Sequence, residues 1–174
     1  MSTPVACPLR VAASPLKGAT PAVRQSRPGG VHWNQHTMST ATSFDVLIIG
    51  SGLAGLSAAL HLADSHRVAV LTKRAIHDGA SNWAQGGIAA VLAESDSLAD
   101  HERDTHVAGA GLCDIEATRA TVAGAPEAIR WLEGLGVPFS TENGELHLTR
   151  EGGHSARRVV HAADATGAAV MATL

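Results

Sequence analysis

Three features of the 174-residue chain predict an α/β fold with a Rossmann-like parallel sheet. Asp45-Val-Leu-Ile-Ile is a continuous apolar run of the kind that forms a strand buried on both faces. Leu53, Leu56, Ala59, Leu60 and Ala63 follow at helical spacing, and Val68 to Thr72 reads as a second buried strand. Strand, helix and strand within about thirty residues is a βαβ unit, which requires parallel strands. The third feature is Gly50-Ser51-Gly52-Leu53-Ala54-Gly55, a G-x-G-x-x-G placed between the first strand and the helix.

Composition excludes several classes. A 45% hydrophobic and 17% charged chain can bury a core. The formal charge of -3 gives no global basic field for nucleic acid. Aromatics at 3% are too few for a base-stacking platform. Apolar runs fall short of the ~18 residues of a membrane span. Cys7 and Cys113 are the two cysteines, too few for a disulfide scaffold or a four-cysteine zinc site. The ten histidines are scattered without H-E-x-x-H, so no metal site is predicted.

Residues 1–43 differ from the rest. They hold Arg10, Lys17, Arg24 and Arg27, no acidic residue, and five of the seven prolines. The segment therefore carries +4 and leaves -7 on the remainder. With no apolar period it reads as a disordered extension. Its origin has three readings: a transit peptide, a regulatory arm, or translated upstream sequence with the start at Met38. The last is favoured because Met38 to Ser43 leads directly into the first strand. A cytoplasmic chain is expected, or an organellar one if residues 1–37 are a transit peptide.

Beyond the βαβ unit, Gly87 to Leu92 reads as a short strand and Ser97 to Ala108 as a helix capped by Ser97. Asp114 is expected to cap a helix from Ile115. Pro126 is expected to end it, with a new helix beginning there and stopping at Gly134 or Gly136. Asn143-Gly144 is a hairpin turn. Arg158 to His161 is strand-like, and Thr166 starts a last helix.

The glycine turn carries the chemistry. Gly50 permits the tight turn, Gly52 lets backbone approach a pyrophosphate, and Gly55 lets helix and strand pack closely. The helix N-terminus adds free N–H groups and a partial positive charge. The acid expected at the end of the second strand is missing, and Thr72 and Lys73 stand there. Thr72 could bond a ribose, and Lys73 could meet a phosphate, lie along an adenosine half, or simply be solvated. A second segment, Ser81-Asn82-Trp83-Ala84-Gln85-Gly86-Gly87, has the small residues that let main chain lie against a planar ligand. Ser81, Asn82 and Gln85 offer donors and acceptors. A glycine-rich loop around a buried Trp83 is the equal alternative.

Taken with L-T-K at 71–73, W-A-Q-G-G-I-A-A-V at 83–91, H-L-T-R-E-G-G-H-S at 147–155 and R-V-V-H-A-A-D-A-T-G at 158–167, the chain resembles the N-terminal part of the L-aspartate oxidase family. That family belongs to the succinate dehydrogenase and fumarate reductase flavoprotein superfamily. The resemblance covers Phe44 to Leu174. It implies that residues 44–174 are an incomplete FAD-binding domain with the start of a substrate-capping region. It implies that Gly50, Ser51, Gly52, Leu53, Ala54, Gly55, Lys73 and the segment Ala80, Ser81, Asn82, Trp83, Ala84, Gln85, Gly86 and Gly87 face FAD. Ala80 stands where dicarboxylate dehydrogenases carry a flavin-linking histidine, so FAD is expected without a covalent link.

The family oxidises L-aspartate to iminoaspartate by hydride transfer from the α-carbon to FAD, with oxygen (giving hydrogen peroxide) or fumarate as acceptor. The product enters quinolinate and NAD synthesis, so functional coupling to quinolinate synthase is implied. Glu151 is the implied substrate-orienting residue, since a fixed anion pairs with an ammonium group. A solvated ion pair with Arg150 is the plain alternative. Thr149, His154 and Ser155 lie beside it, and His161 and Asp164 are expected to serve local backbone first. The family's catalytic arginine would lie beyond Leu174, so this chain alone is expected to be inactive. A succinate dehydrogenase or fumarate reductase flavoprotein and a non-catalytic nucleotide-binding module are the other two readings.

Overall fold

The computed structural model describes residues 43–174; the readings of residues 1–42, Cys7 among them, lie outside the described residues. The described chain falls into two compact units, one ending at Ile76 and one spanning His77–Leu174.

The first unit is the expected βαβ. Strand β1 (Val46–Ile49) pairs in parallel with β2 (Val68–Leu71), Val46 opposite Val68 and Ile49 opposite Leu71. Helix α1 (Leu53–Ala63) makes the crossover and buries Leu56 and Ala59. Ala59 joins Val68 and Val70 in a small core flanked by Val46, Ile48 and Leu62. Each fully buried aliphatic side chain there contributes about 2 kcal/mol. Burial in β1 alternates instead of being continuous: Leu47 is 60% and Ile49 80% exposed. The single helix covers one face of the strand pair, and the pleat turns alternate side chains to the other. Asp45 and Arg67 close the base of the unit, the Arg67 amide donating to the Asp45 carboxylate at 2.8 Å.

The second unit opens with a short 3-10 helix, Ala80–Trp83, and the two-residue β3 (Ile88–Ala89). Helices α2 (Leu98–Gly109) and α3 (Ile115–Gly134) follow. Ser97 caps α2 by accepting from the Asp100 amide, and Asp114 caps α3 by accepting from the Ala117 amide at 2.8 Å. Pro126 does not break α3, which runs through it. A proline inside a helix costs ~3 kcal/mol. The helix nonetheless buries Val122, Ile129 and Leu132 along one stripe, each worth about 1.5–3 kcal/mol, and that stripe exists only if the helix continues. Its end is a paired turn in which Gly136 N donates to Glu133 O and Val137 N to Leu132 O.

The hairpin β4 (Thr141–Glu142) and β5 (Glu145–Leu146) turns at Asn143 and Gly144, both with positive φ as a type I′ turn requires. Strands β6 (Leu148–Thr149) and β7 (Val159–Val160) join β3 in an antiparallel sheet ordered β3-β7-β6. Helix α4 (Thr166–Thr173) closes the described chain and buries Val170 and Met171. Among the described residues, no helix is long and apolar enough to cross a membrane.

Arg158, just before β7, is fully buried. Its Nε and Nη2 donate to the two oxygens of Asp96 at 2.7 Å each, and Nη1 donates to Asp104 Oδ2 at 2.7 Å. The Asp96 and Asp104 side chains are 1% and 11% exposed. Hydrogen bonds from Arg158 hold Asp96 below the usual carboxylate range. Asp104 is held further below it, first by the Ser155 hydroxyl and amide and then by Arg158.

Two expectations follow. Arg158→Met leaves two carboxylates buried without a cation and should cost about 3–5 kcal/mol in denaturant unfolding; a loss under ~1 kcal/mol would contradict the network. Both folded-state pKa values lie below the unfolded ones, so their stabilisation is complete above the ordinary carboxylate value of about 3.9. It is lost as pH falls below that value toward the folded ones. The urea midpoint should therefore drop on the acid side, and Asp96→Asn should make that drop shallower.

Candidate functional site

In the first unit, the chain leaves β1 at Gly50, whose φ is +114 and whose amide donates to Leu71 O at 2.8 Å. Gly52 caps α1 in an extended conformation with no side-chain cap, and no acidic residue lies in the first turn. The positive end of the helix dipole therefore meets no carboxylate in its first turn. A Cβ at Gly55 would collide with the Gly50 carbonyl oxygen, so this position must be glycine for the turn to close against the helix. Leu53 and Gly52 are half-buried and Ala54 is exposed.

Ser51 has a role that spacing alone does not disclose. It is buried, and its Oγ lies 2.7 Å from Ile76 O and 3.1 Å from Thr72 Oγ1. Thr72 in turn donates its hydroxyl to Arg74 O at 3.0 Å. The pair therefore ties the glycine turn to the segment after β2, and the Thr72 proton is engaged locally. Toward a ribose Thr72 has only an acceptor to offer. Lys73 is exposed beside it.

In the second unit, the 3-10 helix is anchored from behind. Gly167 N donates to Ala84 O at 2.9 Å, and a Cβ at Gly167 would collide with Ser81 O and crowd Ala84. A Cβ at Gly87 would collide with Val160 O. These two contacts leave Trp83, Ala84, Gln85 and Gly86 as an exposed ribbon of backbone, with Ser81 and Asn82 half-buried and Ala80 exposed. Trp83 is 77% exposed, which corrects the reading of a loop closed around a buried tryptophan. Four small residues around a docked turn cannot enclose an indole.

Glu151 sits in the turn between β6 and β7. His154 N donates to Glu151 O at 3.2 Å, Gly153 has φ +86, and the Glu151 side chain is exposed. Among the described residues, no ion pair joins it to Arg150. Its neighbours are engaged as follows. Thr149 Oγ1 points to Val159 O at 3.4 Å, and Ser155 donates through N and Oγ to Asp104 at 2.7 and 2.6 Å. His154 Nδ1 accepts from Arg158 Nη1 at 3.4 Å. His161 pairs with His147 at 2.9 Å and meets Ala163 O at 3.3 Å. Asp164 is exposed. Cys113 packs its sulfur over Gly109 and donates its thiol to Thr105 O at 3.6 Å.

The residues that sequence reasoning missed are charged or titratable and buried. Arg158, Asp96 and Asp104 are one group. His101 is another: it is 6% exposed, and its Nδ1 is buried without a hydrogen-bond partner. Burial first, then the Arg158 charge, push its pKa down. The available signal was the pair Arg157-Arg158 at the head of an apolar strand, and a helix face carrying His101, Asp104 and Ala108 at i, i+3 and i+7.

Comparison with known proteins agrees with this geometry. The family described as "FAD binding domain" matches residues 45–174. L-aspartate oxidase 1 of Ralstonia nicotianae is 61% identical over 135 residues, covering 76% of this chain and 25% of that protein. L-aspartate oxidase of Pseudomonas aeruginosa is 54% identical over 145 residues, covering 79% and 27%. A solved E. coli quinol fumarate reductase superposes with a TM-score of 0.71 at 32% identity, covering 75% of this chain and 23% of that one. The chain thus spans about a quarter of the length of the curated relatives it matches.

Gly167→Ala should lower stability by about 1–3 kcal/mol through overpacking, read as the thermal midpoint. An unchanged midpoint would mean that α4 does not hold the 3-10 helix this closely.

Proposed function

The chain belongs to the FAD-binding domain family, and from that premise we propose that it is the flavin-binding part of an L-aspartate oxidase. The reaction is oxidation of L-aspartate to iminoaspartate, with oxygen (giving hydrogen peroxide) or fumarate as the final acceptor. The observation that carries the reading is the gap in similarity: 54–61% identity to proteins named L-aspartate oxidase against 32% to a fumarate reductase.

The residues fit FAD. The uncapped N-terminus of α1 supplies amides and a partial positive charge to a pyrophosphate. The Gly55 contact keeps the turn tight enough for that approach. Lys73 is assigned to the adenosine half. The ribbon Ala80 to Gly87 is assigned to the flavin ring, with Ser81, Asn82 and Gln85 as its polar contacts and Trp83 exposed on the same segment. Alanine has no atom to bond a flavin methyl group, so Ala80 supports non-covalent binding. When bound, FAD accepts the hydride that leaves the substrate α-carbon.

Glu151 is the substrate-orienting residue in this reading. A carboxylate held on a short turn pairs with the α-ammonium of L-aspartate, which succinate lacks. Discrimination then comes from an unmet charge: a ligand without the ammonium leaves Glu151 unpaired in the closed site. The cytoplasm as compartment, and passage of iminoaspartate to quinolinate synthase on the way to NAD, belong to the same proposal.

The test is an assay of the complete gene product, translated from Met38 and reconstituted with FAD. L-aspartate is expected to bleach the flavin and yield peroxide, while succinate does neither. Reduction by succinate alone would assign the protein to the dicarboxylate dehydrogenases. Acid precipitation should release the flavin into the supernatant. Glu151→Gln should lower kcat/KM for L-aspartate about 10- to 100-fold, the equivalent of one charge-assisted contact.

A further inference from the structure

Helix α2 presents one stripe to the turn that carries Glu151, and each residue of the stripe meets a different residue of the turn. His101 meets the His154 ring edge-on, with centroids 5.6 Å apart. Asp104 Oδ2 accepts from Ser155 N and Oγ at 2.7 and 2.6 Å. Ala108 Cβ lies 3.6 Å from where a Cβ on Gly153 would stand. Positions 101, 104 and 108 are i, i+3 and i+7, one face of a helix. Arg158 closes the arrangement from the other side through Asp104 Oδ2, His154 Nδ1 and Ser155 Oγ, at 2.7, 3.4 and 3.4 Å. Gly153, His154 and Ser155 are therefore all held, and His154 N returns to Glu151 O at 3.2 Å. The Glu151 side chain itself is exposed.

We propose that the His101–Asp104–Ala108 face of α2 is a positioning platform for Glu151, with the Asp104–Ser155 pair as its principal clamp. The platform sets how well the site holds an amino dicarboxylate while touching neither substrate nor flavin. The inference rests on the reading of Glu151 given above. Two carboxylates side by side at a substrate ammonium would lose selectivity. Here Asp104 Oδ2 takes three donors, Oδ1 lies 4.0 Å from Arg103 Nη2 and the side chain is 11% exposed, so Glu151 is the carboxylate left to meet the ligand.

The experiment uses the complete gene product loaded with FAD and compares Ser155→Ala, Asp104→Asn, Glu151→Gln and Ser155→Ala/Glu151→Gln. Ser155→Ala removes only the hydroxyl, so it decides the matter if Asp104→Asn does not fold. The clamp predicts that Ser155→Ala raises KM for L-aspartate about tenfold with little change in kcat, as a small misplacement does. It predicts unchanged FAD affinity by fluorescence titration, and recovery of KM in Ser155→Thr. It also predicts that Ser155→Ala adds nothing in the Glu151→Gln background, because the two act as a unit. An equal rise in KM in both backgrounds would overturn the proposal while leaving the role of Glu151 intact. So would an unchanged KM in Ser155→Ala when Glu151→Gln raises it. An unchanged KM in Glu151→Gln would overturn the role of Glu151 and the platform together.

Discussion

Arg158 meets Asp96 and Asp104 in the interior of the second unit, and most of that unit is arranged around the meeting. The arginine backbone belongs to the sheet: its amide donates to Thr149 O and its carbonyl accepts from Ala90 N. Its side chain reaches the segment before α2 and the middle of α2 itself. One residue therefore joins three strands to a helix. A buried charge without partners is costly, and this one has both. The cost works as a register device. A slip of β7 by one residue would turn Arg158 to the opposite face, away from both aspartates, leaving three buried charges unmatched.

Small residues do a second kind of work. Gly55, Gly87 and Gly167 each stand where a Cβ would strike a backbone carbonyl. Close approach at these points presses the glycine turn onto α1 and the 3-10 helix onto α4. After the 3-10 helix, Trp83 to Gly86 are left exposed, so in this chain poor in aromatics main chain, amides and short side chains make up much of that surface. The helix N-terminus without a side-chain cap follows the same logic, since an internal cap would compete with an external anion.

Much of this is legible in the sequence. The caps at Ser97 and Asp114, the turn at Asn143-Gly144 and the start of α4 at Thr166 depend on contacts within a few residues, and the βαβ unit announces itself through its apolar periodicity, so spacing and residue type suffice. Pro126 misleads for the complementary reason. Its local cost is visible in the sequence, but the buried stripe of Val122, Ile129 and Leu132 that outweighs it needs a packing partner. Trp83 is ambiguous in the sequence because burial of one side chain depends on what surrounds it.

By itself, the sequence determined the fold class, the glycine turn between strand and helix, and the family resemblance. Each is carried by periodicity or by motifs contiguous along the chain, and the proposed role of Glu151 rests on the resemblance. The tertiary structure alone decided which polar residues are spoken for. Arg158 and Asp96 are 62 residues apart, and Ser155 and Asp104 are 51 apart. No local rule pairs groups at such separations. Only the fold brings them within hydrogen-bond distance, and burial then makes the pairing obligatory, because an unpaired charge inside the protein costs several kcal/mol.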